Sequence, residues 1–225
     1  NGSGASPSAS SSTFTTTITS KPANGQIYRF TPPSGTIDIT QIGSGSSYDT
    51  DPFDVYYGFG RSVDLYKQSE IGKSGLITAL QWNCTDYENT EVPMKIYLKT
   101  TSSTTLTSST YASYLTGATL VYDGTFNFFA GGWHSIQLSS PFYYNNSDNL
   151  LVICEANYGG SGAPAYNGYN YSSATNCSQY WTQDNTPPTG NGTVEANRSD
   201  IRIVFRDPIV TTPPTPPTIT LTAQN

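Results

Sequence analysis

Apolar and polar residues alternate with a period of two along several short stretches of this chain. In residues 94–99, Met94, Ile96 and Leu98 fall on one side and Lys95, Tyr97 and Lys99 on the other, which turns one face of a strand inward and the other outward. Ile201, Ile203 and Phe205 against Arg202 and Arg206 repeat the design. Residues 76–82, 120–122, 133–138 and 150–154 supply further strands, each bounded by Gly, Asn, Asp or Pro. Residues 26–30 and 36–40, separated by Pro32-Pro33-Ser34-Gly35, read as a hairpin-like opening. A long loop starts at Gly43, passes Asp49, Asp51 and Asp54, and ends near Tyr56-Tyr57-Gly58-Phe59-Gly60; residues 63–72 read as the one helical turn. Half-buried and fully apolar strands at these spacings predict an all-β fold of two packed antiparallel sheets, a β-sandwich or jelly roll.

The ends differ from this body. Residues 1–25 are Ser/Thr-rich, residues 26–206 carry the strand pattern, and residues 207–225 open with a stiff spacer holding Pro208, Pro213, Pro214, Pro216 and Pro217. Both ends are poor in apolar mass but rich in β-branched residues: Ile219 and Leu221 alternate with Thr218, Thr220 and Thr222, and Phe14 and Ile18 punctuate the Thr run near the start. A segment that is strand-like yet too weak to fold alone is suited to adding itself to a sheet edge, within the chain or on another copy. Phe14, Ile18, Ile219 and Leu221 are therefore the expected assembly residues.

Composition narrows the class. With 225 residues the chain can bury a sizeable core, and only 12% of it is charged, so long helices with charged outer faces have little raw material. The net charge is −6 and the 10 Lys and Arg are scattered singly, which leaves no basic stripe for nucleic acid or an anionic membrane. The longest apolar run, residues 150–154, is strand-sized and no membrane insertion is expected. A start at Asn1 without Met or an apolar signal core reads as a processed mature chain or an excised piece of a longer one, and low charge with abundant Thr, Tyr, Asn and Gly is a common look of exported β-proteins. Seven Asn-x-Ser/Thr sequons, at Asn1, Asn83, Asn145, Asn170, Asn176, Asn191 and Asn197, are glycan acceptors in a host with the machinery. Of the 3 cysteines, Cys154 sits in an apolar strand, whereas Cys84 and Cys177 lie in polar sequence and are the preferred disulfide pair. Such a bond would contribute about 4–5 kcal/mol if unstrained.

Candidate chemistry is sparse. The only histidine, His134, lies inside a predicted strand, where a structural role is the ordinary one. A two-carboxylate glycosidase site depends on spatial separation, and Glu155 with Glu70 or Glu91 is the first pair to inspect. Asp49, Asp51 and Asp54 place three hard oxygen donors in a Gly/Ser-rich loop, the setting Ca²⁺ favours, although the EF-hand pattern is incomplete. No other cofactor is indicated. Tyr166, Tyr169, Tyr171, Tyr180 and Trp181 crowd a Gly/Asn/Ser-rich region and read as a glycan platform, an interface, or a loop packed by its own rings.

One succession of motifs is specific in combination: Ile42-Gly43-Ser44-Gly45, Tyr56-Tyr57-Gly58-Phe59-Gly60-Arg61-Ser62, Leu65-Tyr66-Lys67-Gln68-Ser69-Glu70-Ile71-Gly72, Gly75-Leu76-Ile77-Thr78-Ala79-Leu80, Leu120-Val121-Tyr122-Asp123-Gly124, Gly132-Trp133-His134-Ser135-Ile136-Gln137-Leu138 and Pro141-Phe142-Tyr143-Tyr144-Asn145. Over residues 40–206 this order resembles a β-sandwich module of exported surface proteins from Bacteroidetes-type bacteria, often found beside fibronectin type III domains. The resemblance implies an extracellular, non-enzymatic surface or adhesion role and carries no catalytic residues. The expectation is a secreted structural subunit that builds a surface filament by adding a terminal strand to the next copy. The alternative is a monomeric carbohydrate-binding or adhesive module whose partners are surface glycans.

Overall fold

A computed structural model describes residues 36–206. The predicted strand at 26–30 and the assembly residues Phe14, Ile18, Ile219 and Leu221 lie outside the described residues. The strands are β1 (Ile37–Ile42), β2 (Ser47–Asp49), β3 (Phe59–Tyr66), β4 (Gly75–Asp86), β5 (Glu91–Thr101), β6 (Thr119–Asn127), β7 (Gly132–Tyr144), β8 (Asn149–Asn157), β9 (Gly168–Gln183), β10 (Thr193–Ser199) and β11 (Ile201–Arg206). Two short helices, α1 (Gln68–Ile71) and α2 (Tyr111–Leu115), complete them. The fold is all-β and its strand pairs are antiparallel.

The pairing runs β1-β11-β4-β9-β3-β8-β5-β6, with β7 also on β4 and with β2 and β10 also on β9. The 16-residue β9 is the joint. Its start pairs with β2 at Tyr169–Tyr171 and touches β4 at Cys84↔Tyr169, while its end pairs with β3 through Asp64↔Ser178 and with β10 through Glu195↔Ser178.

Strand alternation sorts the apolar side chains into two clusters. Met94, Ile96 and Leu98 of β5 join Val152 and Cys154 of β8, Ile201, Ile203 and Phe205 of β11, and Ile77, Leu80 and Trp82 of β4 in the larger one. Both ladders of β4 skip Thr78, and this irregularity lets Ile77 face the same side as Leu80 and Trp82 in spite of its parity, while Ile201, Ile203 and Phe205 of β11 keep a single parity. Burying each such Leu or Ile fully contributes about 1.5–3 kcal/mol. Leu151 and Ile153, on the opposite face of β8, join Val63, Leu65, Cys177 and Trp181 in the smaller cluster, which Leu106 and Tyr111 close. The ring of Trp181 meets Tyr111 edge-on at 5.6 Å.

Three sequence expectations are corrected. The helical turn expected over residues 63–72 is strand through Tyr66, because Val63 and Leu65 pack into the smaller cluster and Tyr66 into the larger. Only Gln68–Ile71 is helical, and Gly72 stops it in the left-handed conformation, φ 72°. Of the readings of the aromatic region, a loop packed by its own rings gives way to strand, because residues 168–183 form β9. Finally, all three cysteines are free and buried. Cys84 belongs to the larger cluster and Cys177 to the smaller, so the expected Cys84–Cys177 bond is absent.

Candidate functional site

The β2–β3 loop is nailed to the core before it presents any chemistry. Phe53 and Val55 are fully buried, with Phe53 edge-on to Trp82 at 4.9 Å and to Tyr169 at 5.8 Å. Gly60 of β3 lets the loop lie close, since a Cβ there would collide with the Asp54 carbonyl. This anchoring sets Asp49, Thr50, Asp51 and Asp54 along one wall of a pocket of about 240 Å³, whose other lining residues are Tyr57, Tyr180, Thr182 and Glu195. The three aspartates expected from sequence are thus brought to one place. Glu195, which sequence reasoning missed, arrives from β10 at the bulge between Glu195 and Asn197.

The pocket is electrostatically unbalanced. Burial raises the Asp51 carboxyl well above its ordinary range, and the charges of Asp54, Glu195, Asp49 and Asp64 push it the same way. Burial, then Asp49 and Asp64, lifts Glu195 to about 7. Asp54 is raised by burial against the hydrogen bond its Oδ1 accepts from the Tyr56 N–H at 2.7 Å. Asp49 Oδ1 accepts the Thr50 N–H at 2.8 Å. Asp51 Oδ1 and Glu195 Oε1 are buried without a hydrogen-bond partner. The ion pairs among the described residues, Arg61–Glu155, Lys73–Asp38, Lys95–Asp123 and Arg198–Glu70, place no cation here. As the side chains stand, no three His, Cys, Asp or Glu among the described residues form a ready-made metal-holding group.

A second polar group lies inside the body. Arg198, 4% exposed, donates from both terminal nitrogens to Glu70 at 2.8 Å, donates to the Leu65 carbonyl at 3.0 Å, and stacks over the Tyr66 ring. The Tyr66 hydroxyl donates to the Ser199 carbonyl at 2.7 Å and approaches Asp64 Oδ2 at 3.3 Å, where the Ser199 N–H also donates. Burial lifts Asp64 to about 6, against the Ser199 N–H bond and the charge of Arg198.

No family model matches this chain, and no curated protein matches it.

The β1 edge is the third feature. Among the described residues β1 pairs only with β11, and no other described strand lies on its far side. Ile37 and Ile39 are 55% and 48% exposed. Ile37 is the direct partner of Arg206, so the described chain is entered and left at adjacent points on this edge.

The remaining expected residues are dispersed. Tyr169 is buried in the larger cluster and Trp181 in the smaller, where its indole N–H donates to the Gly190 carbonyl at 3.0 Å. Tyr171 and Tyr180 are half-buried, and Tyr166 packs edge-on against Tyr56 at 5.1 Å. These five rings do not form one platform. His134 is buried, with Nε2 on the Ala130 carbonyl and Phe128 and Phe129 against its ring. Glu70 is held by Arg198, while Glu155 faces Arg61 and accepts from the Asn157 amide. Asn145, Asn176 and Asn191 are exposed, and Asn83 and Asn197 are half-buried. Asn170 is buried, donating to the Gly45 carbonyl at 2.8 Å and accepting from Thr85, so its amide nitrogen is committed in the folded chain.

Proposed function

We propose that this chain is a secreted structural subunit of a bacterial surface filament or fibre. Its sheet curls into a two-sheet sandwich or jelly roll, and a terminal segment of one copy adds as a strand to the next. The observation that carries this reading is the β1 edge, which among the described residues pairs with β11 alone and displays Ile37 and Ile39 beside the points where the described chain begins and ends. The terminal Ile219 and Leu221 share the two-residue spacing of Ile37 and Ile39. An added strand would therefore set apolar side chains beside apolar side chains while its backbone pairs along β1. A contact that joins the tail of one copy to the edge of another is head to tail and propagates unless its rotation closes. The resemblance to exported surface modules and the exposed sequons at Asn145, Asn176 and Asn191 support an extracellular setting.

Deleting residues 208–225 should leave a folded, monomeric body, visible by sedimentation and electron microscopy. The double variant Ile37→Lys, Ile39→Lys in the full chain should lose assembly with little change in melting temperature. If the truncated chain still forms the same assemblies, the C-terminal donor is wrong; if the lysine variant also does, β1 is not the acceptor.

A further inference from the structure

We infer that the pocket between the β2–β3 loop and β10 is a Ca²⁺ site whose carboxylate ligands are Asp49, Asp51, Asp54 and Glu195. The first support is charge: four carboxylates line about 240 Å³, and no ion pair among the described residues brings a cation to them. The second is burial without a partner. Asp51 is only 9% exposed, lines the pocket, and holds an Oδ1 that has no hydrogen-bond partner; Glu195 Oε1 is likewise buried and unpaired. A buried carboxylate without a partner is costly unless something neutralises it. A cation in the pocket would supply the missing partner to both atoms at once.

The donor set selects the metal. Every lining side chain that can ligate offers oxygen, with Thr50 and Thr182 adding hydroxyls, and His and Cys are absent from the lining. All-oxygen sets suit Ca²⁺, which accepts six to eight donors at ~2.3–2.6 Å in irregular geometry, whereas Mg²⁺ demands a near-ideal octahedron. Closing on an ion requires side-chain rotation rather than refolding, because Phe53 and Val55 fix the loop backbone in the core. Glu195 comes from β10, so a bound ion would tie the loop to that strand beside β9.

The test uses the full chain, stripped with chelator and titrated calorimetrically with CaCl₂ and, separately, MgCl₂ at pH 7.5. The expected result is one Ca²⁺ per chain, Mg²⁺ at least tenfold weaker, and a melting temperature higher in Ca²⁺ than in chelator. Asp51→Asn and Glu195→Gln should each weaken Ca²⁺ binding at least tenfold while melting no lower than the parent in chelator, since each removes one of the crowded charges. Absence of Ca²⁺ heat together with equal melting in Ca²⁺ and chelator overturns the site. So does Ca²⁺ binding that is unchanged in both variants, or a melting temperature that responds to acidification but not to Ca²⁺, which would assign neutralisation to a proton.

Discussion

Replacing Asp64 by Asn should remove a defined part of the pH dependence of stability. Asp64 is 2% exposed on β3; its Oδ2 accepts the Ser199 N–H at 3.3 Å and lies 3.3 Å from the Tyr66 hydroxyl, and its Oδ1 has no partner. Burial lifts its folded value from 3.8 to about 6. Between these two values the native state holds a proton that the unfolded chain has released, so stability falls as pH rises through the window and stays low above it. A gap of about two units at ~1.4 kcal/mol each makes the loss about 3 kcal/mol. Asn has the shape of the protonated carboxyl and does not ionise. Urea unfolding of parent and Asp64→Asn, in chelator at pH 4 and pH 7.5, should find the two nearly equal in acid and the variant more stable by about 3 kcal/mol at pH 7.5. Identical pH dependence in the two proteins would refute the argument, because it would mean Asp64 carries no buried charge at neutral pH.

Other outcomes follow from the same contacts. Glu70→Ala leaves the buried Arg198 without its bidentate partner and should cost about 3 kcal/mol in urea unfolding, while Lys95→Ala, which breaks the exposed pair with Asp123, should cost under about 1 kcal/mol. Phe53→Ala removes a fully buried ring packed on Trp82 and Tyr169 and should cost about 3–5 kcal/mol. Ellman's reagent should find the cysteines unreactive in the folded chain and all 3 in denaturant, because each thiol is buried, and burial followed by the Asp86 charge lifts Cys84 to about 12. Mass spectrometry of chain from a glycosylating host should find Asn145, Asn176 or Asn191 modified and Asn170 bare.

The parts legible in the sequence are those where one strand carries its own pattern. Met94, Ile96 and Leu98 of β5 and Ile201, Ile203 and Phe205 of β11 alternate in the chain as they do in the core. The all-β class follows from them. β9 was illegible because Ser172, Ser173, Asn176 and Ser178 carry no apolar alternation; its extended form is imposed by neighbours on both sides, β3 and β10. The tract 63–72 failed for a related reason: Val63, Leu65 and Tyr66 point to different clusters, so no single apolar face marks the strand. In the candidate site, the three aspartates were visible as a local motif. Glu195 was not, because only the pairing of β10 with β9 carries it to the pocket, and no local signal in Thr193-Val194-Glu195 announces it.

The pairing of Ile37 with Arg206 has a mechanical consequence. Tension applied through the two ends enters and leaves the body at one corner, and it peels β1 from β11 one residue pair at a time, from Ile37↔Arg206 toward Ile42↔Ile201. The load path bypasses β3, β8 and β5. In a fibre joined at β1, load would instead enter along the strand laid on that edge and leave through Arg206, so tensile strength would reside in the β1–β11 seam, while strands outside that path would be free to diversify their loops.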